Sequence, residues 1–135
     1  MYDYKSPQVV VKSSMSFTSA ATILTYSIER SSDVYSLRAV VYTAPTVTAT
    51  VLTYTYQPTP GSSTGAVVLG TITIPVATAI GKVVYKDIKP VSLPEGGEII
   101  VAVSTTSTAG AGQAYIIFGE DPECNSASPN LIASA

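Results

Sequence analysis

The chain has no histidine, no tryptophan and a single cysteine, Cys124. Without imidazole, the Ser–His–Asp and Cys–His arrangements for nucleophilic catalysis are excluded, and so are His-ligated metals. One cysteine makes no internal disulfide and no thiolate zinc site. Cys124 lies in a polar stretch with no base to activate it, so an inert thiol is expected. Charge is also scarce. Charged residues are 12% of the chain, about half the usual share. Seven basic residues, scattered among nine acidic ones, leave no electrostatic footprint for nucleic acid. No apolar run approaches the roughly 18 residues of a membrane helix, so no membrane partner is expected. The opening Met1-Tyr2-Asp3-Tyr4-Lys5-Ser6-Pro7 lacks a basic stretch followed by an apolar run. No secretory signal is expected; synthesis and assembly in a cytoplasm are expected instead.

What is present is strand composition. The 135 residues suit one domain and are 46% hydrophobic, with threonine, valine and tyrosine prominent and strong helix formers few. Apolar runs recur about every ten residues between Gly, Pro, Ser or Asn, the spacing of a sandwich or barrel. Strands are expected over 8–13, 17–28, 34–43, 46–56, 66–74, 82–88, 99–105 and 113–118. The apolar parity of 17–28 changes between Ile23 and Leu24, which predicts a bulge or break there. Leu52, Tyr54 and Tyr56 fall on one face of their strand, and Val47, Ala49 and Val51 on the other. Gln57 to Gly65 is the clearest loop. One helical turn is expected at 77–80 and nothing longer. The fold class is therefore all-β: a two-sheet antiparallel sandwich of jelly-roll or Greek-key type. It divides into an N-terminal arm and first short strand (1–12), the sandwich (13–120) and an extended C-terminal tail (121–135).

Several strands are apolar on both faces. Ile99, Val101 and Val103 oppose Ile100 and Ala102; Leu37, Ala39 and Val41 oppose Val40 and Tyr42; Ile116 and Phe118 oppose Tyr115 and Ile117. Such strands need cover on both faces, and the chain has no helix to supply it. A second copy or a large partner is the simplest cover. The alternative is that Thr-rich strands are merely tolerated at the surface.

Candidate sites are few. Glu120-Asp121-Pro122-Glu123 is the one tight acidic cluster, and without a calcium-loop pattern it reads as solvated charge. No carboxylate pair is singled out for glycoside hydrolysis. Gly61, Gly65, Gly70 and Gly110-Ala111-Gly112 lack the phosphate-loop pattern and read as turn glycines. No enzyme activity, metal or cofactor is expected. The nine tyrosines suit half-buried packing. Tyr54 and Tyr56 could form part of a platform for stacking sugars, which makes a glycan-binding adhesion or fibre-tip module the alternative function. The arm carries Tyr2, Tyr4, Pro7, Val9 and Val11, and such a segment can add a strand to a neighbour's sheet edge. These seven residues are the candidate partner contacts.

The segments Leu69-Gly70-Thr71-Ile72-Thr73-Ile74-Pro75, Gly81-Lys82-Val83-Val84-Tyr85 and Val91-Ser92-Leu93-Pro94-Glu95-Gly96-Gly97-Glu98-Ile99-Ile100-Val101-Ala102-Val103 resemble the small jelly-roll virion proteins of tailed bacteriophages, in particular capsid decoration (cement) proteins. The resemblance covers mainly residues 66–118 and is a cadence of turns and strands. It implies a non-enzymatic homotrimer on the outer surface of a capsid, bridging major capsid protein subunits through an N-terminal arm or one end of the sandwich.

Overall fold

The computed structural model describes the backbone of residues 6–120 and the side chains of 15–119. Eight strands follow one another: β1 (Ser6–Ser16), β2 (Thr22–Ser27), β3 (Ser32–Thr43), β4 (Thr50–Gln57), β5 (Val67–Ile74), β6 (Val83–Leu93), β7 (Glu98–Thr105) and β8 (Ala111–Glu120). They form two four-stranded sheets, with orders β1-β8-β3-β6 and β2-β7-β4-β5. Every neighbouring pair is antiparallel. β1 pairs with β8, β2 with β7, β3 with β6 and β4 with β5. That nesting, a long hairpin rolled so that alternate pairs fall in opposite sheets, is the jelly roll.

The expected helical turn at 77–80 is absent. Two turns stand there, closed by Thr78 N–H to the Pro75 carbonyl and Lys82 N–H to the Ala79 carbonyl. Ala77 at φ +66 and Gly81 at φ +86 break the helical dihedrals. Of the expected strand 17–28 only Thr22–Ser27 is strand, as β2; the chain leaves β1 at Ser16, crosses 17–21 as a loop and joins the second sheet at Thr22. A register shift between Thr22 and Leu24 falls where the parity changed. β1 is longer than the expected 8–13 and pairs with β8 from Ser6 to Ser16. Pro7, Val9 and Val11 thus belong to a strand of this chain's own sheet, with register partners Gly119, Ile117 and Tyr115.

The core lies between the sheets. Leu37, Ala39, Val41, Ala114, Ile116 and Phe118 face Leu52, Tyr54, Ile72, Ile74, Ile99, Val101 and Val103. Burial drives this arrangement at roughly 1.5–3 kcal/mol for each large apolar side chain. Tyr26 and Phe118 join the two sheets, with ring centroids 5.1 Å apart. Gly70 stands opposite Tyr54, and Leu37 from the other sheet fills the space its missing side chain leaves.

Candidate functional site

Residues directly opposite in neighbouring strands share a face, so the registers build the outer surfaces. On the first sheet Val40 stands between Gln113 and Val83, Arg38 between Tyr115 and Tyr85, and Ser36 between Ile117 and Asp87. Tyr85 is 60% exposed; Val83 and Tyr42 are exposed as well, while Val40, Tyr115 and Ile117 are half-buried. This is an apolar and aromatic surface spanning β8, β3 and β6. Three of its polar members, Arg38, Ser36 and Asp87, are tied to one another. Arg38 lays its guanidinium 5.3 Å from the Tyr85 ring centroid, a cation–π distance. Its Nε donates to Ser36 Oγ at 3.0 Å, and that hydroxyl donates to Asp87 Oδ1 at 2.8 Å. Arg38 Nη2 also lies 3.9 Å from Asp87 Oδ1.

The second sheet differs. There Ile100 stands between Thr25 and Thr55, and Ala102 between Thr22 and Thr53, with Thr71 beside Thr53. Threonine dominates this surface, with Val68 exposed beside Thr55, and Thr53 Oγ1 donates to Ser104 Oγ at 2.8 Å.

The two ends of the sandwich differ in charge. Loops 17–21, 44–49, 75–82 and 106–110 meet at one end. Phe17 N–H donates to the Gly110 carbonyl, Thr108 N–H to Thr46, Ala77 N–H to Pro45 and Gly81 N–H to Val41. Lys82 is the only charged residue in these loops. Val47, Ile80 and Val76 project there, 79%, 77% and 45% exposed. Loops 28–31, 58–66 and 94–97 form the opposite end, which carries Glu29, Arg30 and Glu95. There Ile28 exchanges backbone hydrogen bonds with the 96–97 turn. The buried carboxylate of Glu98 accepts the Gly61 N–H at 2.8 Å, holding the long 58–66 loop down.

The expected tyrosine platform is not at the surface. Tyr54 is fully buried, and its hydroxyl crosses the core to donate to the Arg38 carbonyl at 2.6 Å. Burial, and secondarily Tyr115, raise its pKa well above the ordinary phenol value. Tyr56 is half-buried, packed on the core and against Gly97. The strand face assigned to these residues is correct, but it is the inner one, and a ring committed to the core stacks no sugar. The exposed aromatic rings are instead Tyr85 and Tyr42, with Tyr115 half-buried on the same face. Alternation alone does not separate inner from outer face when both carry large residues. Pro7, Val9 and Val11 are β1 residues, while Tyr2, Tyr4 and the tail 121–135 lie outside the described residues. Among the described residues no three carboxylate or cysteine side chains converge as a metal site would require.

No protein-family model matches the chain, and no curated protein is similar to it by sequence. Among solved structures it is similar to a chain from the structure of the infectious bursal disease virus Gx strain. The identity is 10% and the TM-score 0.36, over 89% of this chain and 33% of that one. This chain thus spans about a third of that neighbour's length.

Proposed function

We propose that the protein is a non-enzymatic structural component of a virion. In this reading it decorates the outer surface of a phage capsid as a homotrimer and stabilises the shell by bridging major capsid protein subunits. Neither nucleic acid nor membrane is a partner. The observation that carries the reading is the outer face of the first sheet. Val40, Val83, Tyr85, Tyr115 and Ile117 stand where a solitary two-layer sandwich places polar side chains. A neighbouring copy covers that face in a trimer. The chain's chemistry agrees: with no histidine and 12% charged residues, it offers area and stiffness rather than reactive groups. Bridging needs no more, because modest contacts repeated over a shell add through multivalency.

The test is thermal disruption of expanded, DNA-free shells of the virus whose genome encodes the chain. Added protein should raise the disruption temperature and saturate at a fixed ratio to the major capsid protein. Shells that neither retain the protein nor gain heat resistance would refute the reading.

A further inference from the structure

We draw no further inference here: the strongest candidate, the uncharged edge strand β5 with Val67 and Val68 exposed at its start, carries none, because its register with β4 shifts at Leu69, the Lys86 side chain lies beside Gly70, and nothing in the structure shows what covers it.

Discussion

At the scale of single residues, four positions join the fold to measurable quantities. Tyr54 is the clearest. Its buried hydroxyl donates to the Arg38 carbonyl, and its pKa is raised by burial first and by Tyr115 second. Above the ordinary phenol value of about 10, the unfolded chain releases this proton while the folded chain keeps it. Stability should therefore be fully present below about pH 10 and fall as the pH rises further. Tyr54→Phe should flatten that alkaline decline, and should cost about 0.5–1.5 kcal/mol at neutral pH through the lost hydrogen bond. Urea titrations at several pH values measure both. Gly112 is constrained differently. A Cβ there would land on the Val40 carbonyl oxygen, a backbone atom that cannot turn aside. Gly112→Ala should cost more than about 2 kcal/mol, because the added methyl overpacks a closed ladder. At Gly70 the nearest obstacle is the tip of the Leu37 side chain, so Gly70→Ala should cost less. Glu98 completes the set. Its carboxylate holds the Gly61 N–H, so Glu98→Ala should cost about 1.5–3 kcal/mol and raise proteolytic cleavage within 58–66.

At the scale of elements, most strands were legible because apolar parity and turn residues agree. The misplacements have local causes. The strand expected from residue 46 starts at Thr50, because Val47 turns the chain at φ +72. No glycine or asparagine announces that turn. The strand expected to stop at 88 runs to Leu93, through Pro90. Proline lacks the N–H of a ladder, but β6 is an edge strand, where proline is tolerated. The β3–β6 register shifts between Val34 and Ser36 as β6 passes from Val91 to Asp87, with Pro90 inside the irregular stretch. The candidate site was less legible. Tyr85 and Arg38 come from strands far apart in sequence, and only the register brings them together. Which face of β4 points inward likewise depends on the opposite sheet. β1 yields a prediction at this scale. It shields the outer edge of β8 along its whole length, so deleting residues 1–16 should expose a long apolar edge and cause aggregation. Light scattering of the truncated chain reads that out.

For the whole molecule, the two sheet faces and the two loop ends differ in character. On the proposed function the outer face of the first sheet would meet other copies, and the threonine-rich face of the second would meet water. Charge is sparse: beside Glu29, Arg30 and Glu95 at one end and the Arg38–Ser36–Asp87 group, Asp33, Lys82, Lys86, Lys89 and Glu98 are the other charged side chains described. Salt should therefore affect neither self-association nor docking strongly. The central claim is that the apolar face across β8, β3 and β6 is an interface between copies, and the native mass measures it most directly. Sedimentation equilibrium at micromolar concentration should give three chains per particle, and Tyr85→Lys combined with Val83→Lys should reduce it to one folded chain. A parent protein that sediments as a single chain across that range would contradict the account.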